Sequence, residues 1–127
     1  MEIRKVETEK APMPAGHYSQ AVVAGGFVFI SGQLPIVPGT GLKITGTIED
    51  QALQVFRNIE AIAVAAGSSA DRIVKMTIYV SAIDFWPAVN TVFTDFFSDH
   101  RPARVVVPVN ELHYGFGIEA DATAVTG

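Results

Sequence analysis

The chain has 127 residues, 49% of them hydrophobic and 17% charged, which fits one domain (1–127) with an ordinary core and excludes disorder. Its net charge of −4, without any basic run, argues against a nucleic-acid partner, and the lack of cysteine excludes disulfides and a thiolate nucleophile. No apolar run approaches the roughly 18 residues of a membrane span, and residues 1–10 are too charged for a signal peptide, so we expect a cytoplasmic location and no membrane partner.

The first half of the chain predicts strands followed by a helix. A short strand is expected at 2–7, and the apolar runs 21–24 and 27–31, separated by Gly25-Gly26, are typical of a β-hairpin because glycine supplies the positive φ values of a tight turn. The proline- and glycine-rich segment 32–46 predicts a long ordered loop. Helical spacing of apolar residues then predicts a helix over 48–66, capped by Thr47 and closed by Gly67.

The second half predicts three more strands and a second helix. Residues 73–80 alternate, with one apolar face and one polar face; the apolar face comprises Val74, Met76, Ile78 and Val80, and the polar face comprises Lys75, Thr77 and Tyr79. The second helix is predicted from Phe85 to about Ser98, with Asp84 as its cap and Pro87 in its first turn. Strands are expected at 103–109 and 117–125, the latter alternating small apolar residues with Glu119, Asp121 and Thr123.

These elements predict an α/β fold in which a mixed sheet carries both helices on one face, because two helices cover only one face of such a sheet. The opposite face combines apolar and ionisable residues, a mixture typical of a subunit interface or a wet cleft. The low charged fraction likewise favours an oligomer.

Arg104 is the main candidate for chemistry, because a guanidinium among apolar residues is costly to bury unless it is paired. Two interpretations are open. One is a structural ion pair with Glu119 or Asp121. The other is bidentate hydrogen bonding of the guanidinium to a substrate carboxylate, which contributes roughly 1.5–3 kcal/mol to binding.

Glu119 is the best acid/base candidate, because a carboxylate on a half-buried sheet face tends to have a raised pKa. The alternative is that it only pairs with Arg104 or Lys75, and Asp121 competes for either role.

The remaining polar candidates carry weaker signals. Tyr18, in the polar turn GHYSQ at 16–20, offers a hydroxyl but is equally typical of a surface turn. Ser31 has no neighbouring histidine to activate it, and Asn90 in a helix would need a structural partner. The three histidines share no metal-ligand spacing, so no metal site is expected.

Seven segments together form a pattern that covers nearly the whole chain: AGHYSQA at 15–21, FISGQLP at 29–35, ALQVFRNIEAIAVAAG at 52–67, IVKMTIYV at 73–80, VNTVFTDFF at 89–97, PARVVV at 102–107 and IEADATAV at 118–125. In order and spacing they resemble the RidA/YjgF family, also called the L-PSP endoribonuclease or YER057c-like family. The resemblance implies a chorismate-mutase-like subunit that assembles as a barrel-like homotrimer, with clefts between subunits.

The same resemblance implies hydrolysis of 2-imino or enamino acids, such as 2-aminoacrylate, to 2-keto acids and ammonia, without a metal or organic cofactor. Two other functions stay open. A module that only binds a small carboxylic or keto acid would need Arg104 but not Glu119. An endoribonuclease is disfavoured by the acidic balance, the lack of a basic groove and the absence of a catalytic histidine pair.

Carried onto this sequence, the resemblance assigns carboxylate binding to Arg104 and positioning of the attacking water to Glu119. It places around them the substrate-binding residues Tyr18, Ser31, Gly32 and Asn90. The sequence departs from the family at three places. Val106 replaces a cysteine common in deaminases, although its carbonyl is still able to hold water. His17 replaces a common proline, and 110–117 differs from the family. We therefore expect His17, His113 and Tyr114 to redraw the pocket and to change which imine it prefers.

Overall fold

One mixed sheet of six strands, in the order β1-β2-β3-β6-β4-β5, organises the computed structural model, which describes residues 1–127. The strands are Ile3–Val6 (β1), Ala21–Ala24 (β2), Phe27–Gln33 (β3), Ile73–Val80 (β4), Ala103–Pro108 (β5) and Ile118–Val125 (β6). β4 and β5 are parallel, and every other neighbouring pair is antiparallel. The hairpin β2–β3 is confirmed, with φ of 59° at Gly25 and 82° at Gly26.

The two helices are Ile48–Ala65 (α1) and Trp86–Phe97 (α2). The cap of α1 is confirmed, since Thr47 Oγ1 accepts a hydrogen bond of 3.2 Å from the Asp50 amide. The predicted Asp84 cap of α2 is wrong. A single 3-10 turn, Ile83–Phe85, leads directly into the helix, so the N-cap position falls on Phe85 and Asp84 lies too early to cap it. Neither helix combines the length and the hydropathy needed to cross a bilayer.

Both helices pack on the same sheet face and enclose the core with it, as predicted. Phe56 of α1 contacts Phe93 and Phe97 of α2, with ring centroids 5.6 and 6.0 Å apart. From the sheet, the alternate positions Ile118, Ala120, Ala122 and Ala124 of β6 are all buried. Three alanines in that row allow α1 to approach the sheet closely.

The apolar face predicted for β4 needs one correction, at Val74. Its side chain is 42% exposed, whereas Ile73 is fully buried. The pairing of β4 with β6 shifts between Ile73 and Lys75, so a β-bulge inserts one residue and reverses the alternation at the start of the strand.

The sheet face away from the helices is part apolar and part ionisable, as expected. Phe27 and Phe29 of β3 and Val105 of β5 are 46%, 50% and 43% exposed on it. Tyr79 and Asp121 lie on the same face and share a hydrogen bond of 3.4 Å. The Phe27 and Phe29 rings lie next to each other, with centroids 6.2 Å apart, so this face carries an exposed aromatic pair.

Candidate active site

A cleft of about 550 Å³ opens at the end of β3, next to the carboxylate of β6. Four of the residues singled out from the sequence line it together: Tyr18, Ser31, Gly32 and Glu119. His113 and Tyr114, from the segment that departs from the family, form part of the wall. We call the first four residues the cleft group.

A β-bulge builds the floor of the cleft. Ile30 pairs with Ala122 and Gln33 pairs with Ala120, so Ser31 and Gly32 together face the single residue Asp121. A Cβ at Gly32 would lie 3.3 Å from Glu119 Cδ and would collide with its carboxylate oxygen. Glycine at this position therefore gives the Glu119 carboxylate its place beside the strand.

Ser31 is held in this bulge by the chain that precedes β2. Its hydroxyl donates a hydrogen bond of 2.6 Å to the Ser19 carbonyl, and its amide donates one of 2.9 Å to the Gln20 carbonyl. With its proton committed to Ser19, the Ser31 hydroxyl offers a ligand only an acceptor.

The sequence analysis missed Gln20, which fixes another wall of the cleft. Its buried amide accepts from the Thr8 amide at 2.7 Å and donates to the Pro12 carbonyl at 2.8 Å. Pro12 lines the cleft, so Gln20 shapes the site from beneath. The available signal was an amide side chain at the start of an apolar run.

Glu119 is half-buried, and this burial raises the pKa of its carboxyl above the ordinary value, an effect that nearby Asp121 strengthens and His113 opposes. Burial also raises the pKa of Asp121, and the negative charge of Asp121 in turn raises the pKa of Tyr79. Asp121 accepts a hydrogen bond from the Tyr79 hydroxyl, and its side chain does not line the cleft. Of these two carboxylates, only that of Glu119 faces the cleft.

Arg104 lies on the other face of the sheet. In the parallel pairing of β5 with β4 it is opposite Met76, whose side chain is buried under the helices. Its guanidinium donates a hydrogen bond of 2.9 Å to Asn90 Oδ1 of α2 and lies 4.7 Å from the centroid of the Phe93 ring. The interpretation of Arg104 as the partner of Glu119 or Asp121 is wrong within one chain, because the sheet separates them.

Val106 lies beside Arg104 in this second group. It is opposite Ile78 in β4 and packs against the core on the helix side. We call Arg104, Asn90 and Val106 the edge group, because β5 is an outer strand of the sheet. Asn90, a helix residue that needed a structural partner, has one in Arg104.

The cleft group and the edge group of one chain are too far apart to hold one small acid. β4 separates β5 from β6, and Arg104 is level with Met76 while Glu119 is level with Tyr79. Two strand spacings of roughly 4.8 Å and three residues of about 3.3 Å place their Cα atoms roughly 14 Å apart, with side chains on opposite faces. A site that uses both groups needs a second copy of the chain.

The structure contains no group of three histidine, aspartate or glutamate side chains arranged to hold a metal ion. The polar groups of the residues that line the cleft are one carboxylate, one imidazole, the side-chain amide of Gln33, hydroxyls and backbone groups. This set suits the binding of a small polar molecule and the transfer of protons to or from it.

A six-stranded mixed sheet, two helices on one face and an acid-bearing cleft of small-molecule size define a small α/β protein. The family model described as Endoribonuclease L-PSP matches residues 8–126. The chain therefore belongs to this family, which is also known as RidA/YjgF.

Three proteins illustrate how closely the chain follows its relatives. A RutC family protein of Pyrococcus horikoshii is 45% identical over 92% of this chain and 93% of its own length. A 2-iminobutanoate/2-iminopropanoate deaminase of Dermatophagoides farinae is 38% identical over 96% of this chain and 95% of its own. The crystal structure of Escherichia coli TdcF with bound serine has a TM-score of 0.92 and 37% identity, covering 98% of this chain and 99% of TdcF.

Proposed function

We propose that this protein is a hydrolytic deaminase of reactive 2-imino and enamino acids, such as 2-aminoacrylate, which it converts to 2-keto acids and ammonia. The proposal rests on the surroundings of two side chains, Arg104 and Glu119. Arg104 is oriented by a neutral amide and is not neutralised by any acid of its own chain, while Glu119 stands in an open cleft. The relative from Dermatophagoides farinae, named as a deaminase of this type, supports the reaction class.

The proposed site forms between two copies of the chain in a homotrimer of the chorismate-mutase type. The Arg104 of one copy grips the substrate carboxylate, and the cleft group of its neighbour surrounds the imine carbon. The separation of the two groups within one subunit supports this arrangement. The exposed Phe27, Phe29 and Val105 supply the apolar surface for such an assembly.

The proposed chemistry needs positioning and proton transfer. A water molecule held by ionised Glu119 gives one proton to that carboxylate and adds its oxygen to the C=N carbon, while the imine nitrogen takes up a proton from solvent. Glu119 then passes its proton to the amine. As the C–N bond breaks and ammonia leaves, the hydroxyl of the adduct gives its proton to ionised Glu119, which releases it to solvent, and the C=O bond forms. Proton transfer by a placed carboxylate contributes roughly 10²–10⁴-fold, and orientation by Arg104 adds to it. Tyr18 and Ser31 line the cavity that receives the substrate. In the proposed site the carbonyl of Val106, which lies close to Arg104 on β5, holds a second water.

Mixed oligomers test the proposal. Arg104→Ala and Glu119→Gln proteins are each expected to release no ammonia above background from 2-aminoacrylate generated in situ by a coupled dehydratase. The two are then co-expressed with different tags, and trimers that carry both tags are purified. Every such ring has one interface in three that combines an intact Arg104 with an intact Glu119, so we expect about one third of the wild-type activity.

Each outcome of this experiment has a clear meaning. Full turnover by either single variant would refute the roles assigned here. Mixed assemblies that stay inactive would refute the shared site. Wild-type protein that binds 2-oxobutanoate without hydrolysing any imine would show a binding module instead, in which Glu119→Gln leaves the affinity unchanged.

A further inference from the structure

The outer wall of the cleft is a fixed structure built from two loop segments. In the first, 34–44, Ile36 and Lys43 form an isolated antiparallel bridge, and the Val37 amide donates to the Leu42 carbonyl at 2.8 Å. The buried Asn58 of α1 donates to the carbonyls of Leu34 and Ile36, at 3.2 and 2.9 Å. This hairpin therefore holds its position against the helix rather than moving as a free loop.

The second segment, 112–116, places an aromatic ring against this hairpin. Tyr114 has φ 58° and ψ 19°, a conformation that is uncommon for a bulky residue and is found at binding sites. Its ring packs edge-on against buried Phe116, with centroids 5.7 Å apart. The strained backbone at Tyr114 holds its ring in the wall of the cleft, which suggests that the ring contributes to binding there.

Two cationic or cationisable groups flank the Tyr114 ring. Lys43 Nζ lies 4.7 Å from the ring centroid, and the His113 ring centroid lies 6.0 Å away. Neither 34–44 nor 112–116 contains an aspartate or glutamate. His113 lines the cleft, whereas Lys43 lies just outside the lining, against the outer side of the Tyr114 ring. We call Lys43 and His113 the rim: it places one ammonium and one imidazole beside a cavity whose only lining acid is Glu119.

We propose that Lys43 and His113 form a second anion-binding position at the rim of the cleft. This position selects substrates whose side chain ends in a carboxylate: the imines of four- and five-carbon dicarboxylic amino acids. Arg104 holds the carboxylate next to the imine, and the rim holds the distal one. The ammonium of Lys43 attracts it, and the imidazole of His113 donates an N–H to it. The reaction rests on the proposed function, but the binding preference is measurable without turnover.

Two keto acids with the same five-carbon chain test the preference directly. 2-Oxoglutarate carries a distal carboxylate where 2-oxopentanoate carries a methyl group. By titration calorimetry, the wild-type protein is expected to bind 2-oxoglutarate about fivefold more tightly, the effect of one exposed ion pair, and added salt should reduce the ratio. Lys43→Met and His113→Gln should each bring the ratio towards one. Lys5→Met, an exposed lysine of β1 at the far edge of the sheet, should leave it unchanged.

The turnover arm compares the imines of glutamate and norvaline, generated in situ by amino-acid oxidases. Equal affinity for the two keto acids, or a preference that survives in both rim variants, would overturn this inference even if 2-aminoacrylate is hydrolysed. A preference that depends on Lys43 and His113, in a protein that hydrolyses none of the imines, would support the anion position and refute the deaminase.

Discussion

The Arg104 guanidinium donates a hydrogen bond of 2.9 Å from β5 to Oδ1 of Asn90 on α2, and one of its faces lies 4.7 Å from the Phe93 ring centroid. Both contacts orient the side chain without cancelling its charge, because an amide and an aromatic ring are neutral. A carboxylate in place of Asn90 would orient it equally well but would compete with an anionic substrate. Asn90 is therefore a positioning residue for Arg104.

Two substitutions of Asn90 distinguish the loss of Arg104 orientation from the neutralisation of its charge. Asn90→Ala is expected to raise KM for imino acids by about fivefold, the value of one such hydrogen bond, with a smaller change in kcat. Asn90→Asp should raise KM further, since it pairs with the guanidinium. Steady-state kinetics measure both, with Thr91→Ala as the control, because the Thr91 hydroxyl is exposed and donates only to the Pro87 carbonyl. An Asn90→Asp protein with wild-type KM would contradict this role.

Local patterns in the sequence predicted most of the fold. Helical spacing and the Thr47 cap placed α1, and Gly25-Gly26 placed the hairpin, because these signals act within a few residues. Two errors came from details that a pattern does not contain. A bulge reversed the alternation at Val74, and a 3-10 turn displaced the start of α2 from Asp84.

The residue types of the candidate site were predictable, but their division into two groups was not. Which face Arg104 occupies depends on the parallel register of β5 against β4, a long-range pairing that the sequence of β5 does not specify. The buried amides Gln20 and Asn58 were missed because their partners are backbone groups of irregular segments, 8–12 for Gln20 and 34–36 for Asn58. No periodic pattern identifies such a contact.

Gly32→Ala tests the placement of the Glu119 carboxylate. The added methyl occupies the space of a carboxylate oxygen, so Glu119 must rotate away while the backbone stays in place. We expect kcat for imine hydrolysis to fall roughly tenfold to a hundredfold, a large part of what a placed acid/base group contributes, with little change in Tm. Gly46→Ala is the control, since its Cβ meets only Asp50 Oδ2, at 3.9 Å. Unchanged kcat in Gly32→Ala would show that the position of Glu119 is unimportant.

Asn58→Ala tests the anchoring of the 34–44 hairpin. The substitution leaves the Leu34 and Ile36 carbonyls without their side-chain donor, and we expect a loss of about 2–4 kcal/mol in the free energy of unfolding. Amide hydrogen exchange should become faster in 34–44 than elsewhere. Gln54→Ala is the matched control, because Gln54 donates only to Asn58 Oδ1, at 2.9 Å. Equal exchange rates in the two variants would contradict an anchoring role for Asn58.

The raised pKa of Glu119 predicts opposite effects on stability and activity. Its folded-state pKa lies above the ordinary 4.5, so between these values the folded chain binds more protons than the unfolded chain, and the free energy of unfolding falls as pH rises. Ionised Glu119 therefore destabilises the fold at neutral pH, and glutamine in its place does not. Glu119→Gln should raise Tm at pH 7 by no more than a few degrees, and the difference should vanish below about pH 4.5.

This comparison is best made in an Arg104→Ala background, in which no neighbouring guanidinium compensates the charge of Glu119. The activity of the wild-type protein should fall on the acid side at a higher pH than an ordinary glutamate would give, because the base must be ionised. Calorimetric unfolding checks the predicted change in stability, and kcat/KM measured across the same pH range checks the predicted loss of activity. A Gln variant that is less stable than its parent at pH 7 would contradict this prediction. It would mean that Glu119 makes a stabilising contact in the assembled protein and that the main role of its carboxylate is structural.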